Sequence, residues 1–296
     1  MSGRTARRRV VRVTLSADGG GGEAPTVRST TRADLLAGEE PLGIRVDGAA
    51  LAMTMRTPGD DIELAAGFLV GEAIVAATED IAAMKVCDGT TCGHLDHADG
   101  EIGNVVDVAL APGLTVTDAA RRSFLTTSAC GVCGKTSIDD ICVLPKTPLG
   151  EDATVFPPAM IAAMPDQLRE AQRVFSATGG LHAAGLFTAS GELLVVREDV
   201  GRHNAVDKIV GWALLNAKLP LAGCALLVSG RASFELVQKA VLAGIPLLAA
   251  VSAPSSLAAE LADEAGLTLI GFLRGPSMNV YTGAHRVAAT GHEPRQ

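Results

Sequence analysis

Two thiols three residues apart, Cys130 and Cys133, carry the clearest chemical signal in the chain. Glycines at 131 and 134 and Lys135 surround them, with Thr126, Thr127 and Ser128 before and Thr136 and Ser137 after. Small, glycine-rich, polar segments of this kind predict a mobile loop rather than an element interior. A nearby ammonium favours the thiolate, the form that attacks sulfur. The spacing therefore points to sulfur chemistry with a partner that must come to the loop.

Three other readings of the pair stand beside it. A Cys-x-x-Cys pair is also half of a zinc site and then needs two more ligands. Cys87, Cys92, His94 and His97 offer ligand spacing, alone or with the pair at 130. A thioredoxin-like motif opens a helix directly after a strand, and Gly134-Lys135-Thr136-Ser137 is a poor helix start. A phosphate-binding loop would match Gly134-Lys135-Thr136, but its first glycine falls on Ala129, which blocks close phosphate approach. Reactive thiols are the preferred reading, with no metal required.

The elements that must position these thiols are set by composition. The chain has 296 residues, 48% of them hydrophobic and only 3% aromatic, with positive mean hydropathy. That supports a large aliphatic core and two parts. Ala240–Ala259 is uncharged but holds Pro246 and Pro254, so it reads as helix end, strand and loop rather than a membrane span. The basic start, Arg4 to Arg12, lacks the apolar segment of a secretory signal. Six cysteines over this length give no disulfide framework, and a reducing, cytoplasmic setting suits reactive thiols. A net charge of −8 argues against general nucleic-acid binding.

The expected organisation is α/β: a small α+β N-terminal part plus a three-layer α/β/α C-terminal part. A flexible basic and Gly-rich tail is expected over 1–27, the α+β part with the thiol loop over 28–150, the three-layer part over 151–290 and a short tail over 291–296. Pro145, Pro148, Pro157 and Pro158 mark the division. In the first part, Asp60 with Glu63 has capping-box spacing and opens an amphipathic helix to about Ala76. Strands are predicted at 42–46, 50–56 and 104–110. In the second, runs at 183–188 and 193–197 form a hairpin about Ser190-Gly191. Helices at 203–217, 232–242 and 256–265 then alternate with strands at 224–228, 246–251 and 267–273, implying a largely parallel sheet.

Polar clusters follow those strands: Ser229-Gly-Arg-Ala-Ser233, Ser252-Ala-Pro-Ser-Ser256 and Arg274-Gly-Pro-Ser277, with Glu198 to Asn204 ahead of a helix. Ligands of open α/β sheets bind beyond the carboxyl ends of the strands, where helix N-termini suit phosphate. Three arginines among these clusters point to a nucleotide or phosphorylated cofactor. His203, among charged loop residues, is a better candidate base than His182. Every α/β protein has polar loops, so the weight lies in the clusters falling together. Trp212 and Cys224 read as core.

These motifs resemble the FdhD family of formate dehydrogenase accessory sulfurtransferases. The resemblance rests on Ser128-Ala-Cys-Gly-Val-Cys-Gly134, Thr57-Pro-Gly-Asp-Asp-Ile-Glu63, Arg197-Glu-Asp-Val-Gly-Arg-His-Asn204, Ser229-Gly-Arg-Ala-Ser-Phe-Glu235 and Gly271-Phe-Leu-Arg-Gly275. It runs from about Arg28 to Arg286. It implies a cytosolic carrier that takes sulfane sulfur from a cysteine desulfurase and passes it to the Mo/W-bis(molybdopterin guanine dinucleotide) cofactor of formate dehydrogenase. Cys130 matches the persulfide-bearing cysteine and Cys133 the second thiol. Phe272, Leu273, Arg274, Gly275, Pro276 and Ser277 match the segment assigned to the guanine-nucleotide end of that cofactor.

The second part of the family resembles the cytidine deaminase fold. This chain lacks the His-x-Glu of deaminase chemistry, and Ala129 stands where that signature needs proline. The implied partners are a cysteine desulfurase and the formate dehydrogenase apoenzyme, with no nucleic acid, no membrane and a homodimer as one possibility. The molybdenum cofactor is the sulfur acceptor, and no tightly bound cofactor of the chain's own is expected. A structural zinc protein and a cofactor-binding chaperone that transfers no sulfur stay open beside the carrier.

Overall fold

The computed structural model describes residues 3–16, 26–87, 104–116 and 149–287. At its start, β1 (Thr5–Ser16) pairs antiparallel with β2 (Thr26–Ala37) in a separate two-stranded ribbon. A tail is expected over 1–27, so this strand is a correction. The alternation of Val11, Val13 and Leu15 suits a strand, and partners across the ribbon fix its register.

The next unit comprises β3 (Glu40–Val46), β4 (Ala49–Arg56), α1 (Asp61–Gly71), β5 (Ile81–Val86) and β6 (Val105–Leu110), with sheet order β4-β3-β6-β5. The three predicted strands are present within two residues of their bounds. The capping box is absent. Asp60 has a left-handed backbone, φ 59°, and makes no side-chain cap. Its carboxylate takes Arg4 at 2.6 Å, and Glu63 is held by Arg197 at 2.5 and 2.7 Å. Ion pairing has replaced capping. Nor is α1 amphipathic. Leu64, Ala65, Ala66, Gly67, Leu69, Val70 and Gly71 are all buried, which surrounds the helix with protein. It ends by residue 71, short of Ala76, where Ala73 turns left-handed.

The last unit begins with α2 (Pro158–Ala171) and α3 (Arg173–Thr178). Then follow β7 (His182–Thr188), β8 (Leu193–Asp199), α4 (Arg202–Leu215), β9 (Cys224–Val228), α5 (Phe234–Leu242), β10 (Leu247–Ala250), α6 (Ser256–Glu264), β11 (Thr268–Arg274) and β12 (Ser277–Thr282). The six-stranded sheet has order β12-β11-β10-β9-β7-β8. Only β9–β10 and β10–β11 are parallel. β7 runs antiparallel to both neighbours and β12 to β11, so the sheet is mixed rather than largely parallel. The central runs Ala225–Val228 and Leu247–Ala250 are wholly buried, as strands covered on both faces require.

Successive strand residues serve opposite layers. Leu227, Leu247 and Ala249 join Ile161, Met164 and Leu168 of α2 on one face. Leu226, Leu248 and Leu269 join the apolar sides of α4, α5 and α6 on the other. This is the three-layer arrangement expected. The second core continues without a break to Leu42, Ile44 and Val46 of β3, so the two parts share one interior. Their junction is the crossing of α1 and α4 at Gly67 and Gly211, where backbone meets backbone.

Polar groups weld the same junction. Asp199, fully buried, accepts from Thr57 N at 3.0 Å, Gly201 N at 2.8 Å and Asn204 Nδ2 at 2.9 Å, and pairs with Lys208 at 2.7 Å. Lys208 also donates to the Thr57 carbonyl. The Thr57-Pro-Gly-Asp-Asp and Arg197 to Asn204 motifs are therefore bound to one another. Beneath them Lys239 donates to Asp207 at 2.6 Å. Burial alone would discharge this lysine, but Asp207, with Glu72 and Glu235 nearby, raises its pKa above the ordinary lysine value. Lys239→Met strands the Asp207 carboxylate and is expected to cost roughly 3 kcal/mol. Denaturant unfolding checks this. A loss under about 1 kcal/mol would show that Asp207 finds other solvation.

Candidate functional site

Strand directions bring four carboxyl ends, those of β8, β9, β10 and β11, to one edge of the six-stranded sheet, together with the amino ends of β7 and β12. All four polar clusters marked in the sequence lie along that edge. They are knitted there by hydrogen bonds, all but one of them backbone to backbone. Ser229 N donates to the Ala183 carbonyl, Ser229 Oγ accepts from Ala183 N, Ser252 N donates to Gly230 O and Ser255 N to Ala232 O. Phe272 N closes the row on Ser252 O at 3.1 Å.

An open cleft of about 710 Å³ lies at this edge, lined on one side by Asp166, Arg169, Gln172 and Phe175 of the α2–α3 region. His182, Val200, Ser229 and Val251 from the strand ends line the other. That volume lies within the range of roughly 300–1,000 Å³ for small-molecule sites. Arg169 sits 4.5 Å over the Phe175 ring, so its guanidinium is already oriented. Burial, then the charges of Arg202 and His203, hold His182 below the ordinary histidine range, so it is neutral near pH 7. Neutral imidazole offers one donor and one acceptor.

The last strand carries an irregularity beside the cleft. A β-bulge separates Gly271 from Arg274, and within it Phe272 takes φ 52°. A bulky residue in that region costs about 1–3 kcal/mol, and such strain gathers at binding sites. Phe272 is thereby turned outward and is 40% exposed. Leu273 is buried in the core and offers a ligand only its backbone. Arg274, Gly275, Pro276 and Ser277 are exposed. Arg274 Nε donates to the carbonyl of Val251, a cleft residue, at 3.2 Å, which places the guanidinium by the cleft.

On the other face, α4 and α5 begin together. His203 Nε2 lies 2.8 Å from Glu235 Oε2 and 3.2 Å from Ser233 Oγ. One ring nitrogen serves both contacts, so the three do not form a relay that activates Ser233 as a nucleophile. Burial works to raise Glu235, but the His203 hydrogen bond and the charges of His203, Lys239 and Arg202 outweigh it and hold the carboxyl below its ordinary range. Arg202 Nε and Glu235 Oε1 are buried without hydrogen-bond partners among the described residues. A donor and an acceptor are thus left over at the start of these helices.

Cys130 and Cys133 lie outside the described residues, as do Cys92, His94, His97 and Cys142. Cys87 is buried and disulfide-bonded. Cys224 is free and partly buried, and burial, with Asp152 nearby, pushes its thiol pKa up. No His, Cys, Asp and Glu cluster able to hold a metal occurs among the described residues. Nor is any helix among them long and apolar enough to cross a membrane. The sequence reading missed the welding role of Asp199, Asn204 and Lys208. Their spacing along Arg197 to Lys208 was visible, but their partners at 55–57 lie far away in sequence.

The profile of the FdhD/NarQ family matches residues 37–288. The chain is 56% identical over 287 residues to the "Sulfur carrier protein FdhD" of Streptomyces coelicolor, covering 96% of each. It is 53% identical to the protein of that name from Nocardia farcinica, covering 97% of this chain and 96% of that one. The crystal structure of a protein described as a formate dehydrogenase accessory protein, from Desulfotalea psychrophila, superposes with a TM-score of 0.67 at 24% identity. It covers 94% of this chain and 99% of that one, which supports the fold.

Proposed function

The chain belongs to the FdhD/NarQ family, and we propose that it is a sulfur carrier with Cys130 as its sulfur-bearing residue. Sulfane sulfur comes from a cysteine desulfurase and goes to the Mo/W-bis(molybdopterin guanine dinucleotide) cofactor that formate dehydrogenase requires. In the loading step the Cys130 thiolate attacks the outer sulfur of the donor's persulfide. The new S–S bond forms as the donor's S–S bond breaks, and the donor leaves as a thiolate. In unloading, a nucleophilic acceptor attacks the outer sulfur with its own electron pair; the acceptor–sulfur bond forms as the S–S bond breaks, and the S–S electron pair stays on Cys130 as its thiolate. Persulfide transfer of this kind is reversible thiol chemistry and leaves the carrier unchanged over a cycle.

The observation that carries this reading is the cleft at the sheet edge with Arg274 fixed beside it, in a chain whose relatives bear the name of sulfur carriers. The residues present suit the guanine-nucleotide end of the acceptor. Arg274 offers a charged fork to phosphate. Exposed Phe272 offers an aromatic face. The orphaned Arg202 Nε and Glu235 Oε1 offer a donor and an acceptor in the same edge. Weighing the chain after incubation with a cysteine desulfurase and cysteine tests the carrier step. One added sulfur, about 32 Da, is expected on the peptide holding Cys130, and an unmodified peptide refutes it.

The acceptor end has its own test. Guanosine diphosphate is expected to bind better than adenosine diphosphate, and Arg274→Ala to weaken that binding by roughly 1.5–3 kcal/mol, as for a charge-assisted bond in a partly buried site. Loading of Cys130 is expected to survive the substitution. Titration calorimetry with both nucleotides decides. Equal affinities, or no loss on Arg274→Ala, would move the nucleotide to the Arg231 or Arg202 loop.

A further inference from the structure

Among the described residues, two buried side-chain polar atoms have no hydrogen-bond partner, Arg202 Nε and Glu235 Oε1. An unmade bond of that kind is costly in a native structure and calls for an explanation. The two occur together. The charge of Arg202 acts on Glu235, yet Nε and Oε1 do not meet. Glu235 is not at liberty to close the gap. Its other oxygen is held by His203 Nε2 at 2.8 Å, and that nitrogen also reaches Ser233 Oγ at 3.2 Å. Both residues keep some surface in solvent, so the gap lies at the surface of the fold rather than deep in its core. His182, which lines the cleft, feels the charges of Arg202 and His203, which sets the pair beside the cleft.

The two atoms dictate what fills the gap. A guanidinium Nε–H only donates. Burial favours the neutral form of Glu235, but the His203 hydrogen bond and the charges of His203, Lys239 and Arg202 prevail. The carboxyl is ionised near pH 7, so Oε1 only accepts. The missing partner must show an acceptor to Arg202 and a donor to Glu235. Phosphate and carboxylate fail, because they bring no proton to Oε1 and repel it. A lactam edge, H–N–C=O, meets both demands with adjacent groups. Guanine carries that edge at N1 and O6, and pterin at N3 and O4. Adenine presents the reverse, an acceptor at N1 and an amino donor at position 6. The span also fits. The loop leading to Glu235 leaves the end of β9, and Arg274 closes β11. Only β10 lies between, so those strand ends are about 10 Å apart, a gap that a nucleoside diphosphate bridges from base to phosphate. We infer that Glu235 and Arg202 are specificity-determining residues that read the lactam edge of the acceptor's heterocycle. The inference rests on the acceptor proposed above and divides its recognition in two. Arg274 takes phosphate, which every nucleotide has, and the Arg202–Glu235 gap takes the edge that sets guanine or pterin apart from adenine.

Titration calorimetry on the full chain with guanosine, inosine and adenosine diphosphates, and separately with 6-hydroxymethylpterin, tests the assignment. Inosine diphosphate keeps the lactam and lacks the 2-amino group. It is expected within about 5-fold of guanosine diphosphate, the worth of one ordinary hydrogen bond. Adenosine diphosphate is expected to bind at least about 10-fold more weakly than either. Glu235→Met removes the acceptor and is expected to shrink the guanosine-to-adenosine ratio to about 3-fold or less. Arg274→Ala, by contrast, is expected to weaken all three diphosphates and leave the ratio standing. Should Glu235→Met not fold, 1-methylguanosine diphosphate on the native chain replaces it. A methyl in place of the N1 proton is expected to cost at least about 10-fold in affinity. A pterin that binds the native chain and is lost in Glu235→Met, while guanosine diphosphate is unaffected, supports the lactam reading and assigns it to the pterin end. An unchanged nucleotide ratio in Glu235→Met, or 1-methylguanosine diphosphate binding as well as its parent, overturns the inference when pterin binding is unaffected too, and leaves the proposed acceptor standing. Failure of all these ligands to bind the native chain overturns both.

Discussion

Cys130→Ala is expected to return from a cysteine desulfurase and cysteine at its unmodified mass and to leave formate dehydrogenase activation lower by two orders of magnitude or more, on the order of the loss when an enzymatic nucleophile is removed. Among the described residues no other thiol can take its place. Cys224 is the free thiol among the described residues, and it is partly buried with a raised pKa, so little of it is thiolate near pH 7. Cys87 is buried in a disulfide and has no thiolate to offer. Neither has the glycines and lysine that flank Cys130. Peptide mapping of the treated variant is the measurement. Sulfur found on another peptide at the level of the native chain would show that the carrier thiol lies elsewhere.

How much of this was legible in the sequence depended on where each element finds its partners. The strand at 224–228 was predicted at its observed bounds because its apolar run is buried on both faces and is closed by polar loops. The sheet edge was legible for the same reason: each such run ends in Ser, Gly or Arg. The ribbon was not read as structure, because neither of its faces enters the core and its arginines mask the alternation. Helix α2 went unpredicted because Pro157, Pro158 and Pro165 read as breakers. Pro158 is tolerated in the first turn, where its missing N–H costs nothing, but Pro165 lies inside the helix. The failed capping box at Asp60 is the converse case. Spacing alone satisfied the motif, and Arg4 and Arg197, distant in sequence, took both carboxylates. At the site, residue type was readable and strain was not. Nothing in the letters of Gly271-Phe272-Leu273 announces that Phe272 turns left-handed in a bulge.

The crossing of α1 and α4 carries the largest structural effect. A Cβ on Gly211 would lie 1.8 Å from the Glu63 carbonyl oxygen, and one on Gly67 would lie 1.8 Å from that of Asp207. Both obstacles are helix backbone, which cannot rotate aside as a side chain does. In an exposed helix Gly→Ala gains about 1 kcal/mol, so the sign of the result separates propensity from packing. Packing is expected to win decisively. The helices cannot drift apart to make room, because Glu63 is tied to Arg197, Thr57 to Asp199, and Lys208 to both Asp199 and Thr57. Gly211→Ala is therefore expected to lose roughly 5 kcal/mol, near the whole stability of many domains. Its melting temperature is expected to fall by about 10 °C or more. Gly150→Ala is the control, since nothing lies within 4 Å of its added methyl, and a change within about 0.5 kcal/mol is expected there. Equal melting temperatures for the two variants would refute the interlock. A folded but loosened Gly211→Ala carries a further consequence. Helix α4 starts at Arg202 and His203 on the ligand edge, so displacing it from α1 moves those residues relative to Ser233 and Glu235. Nucleotide binding is then expected to weaken while sulfur loading on Cys130 persists, which separates damage at the sheet edge from loss of the thiol chemistry.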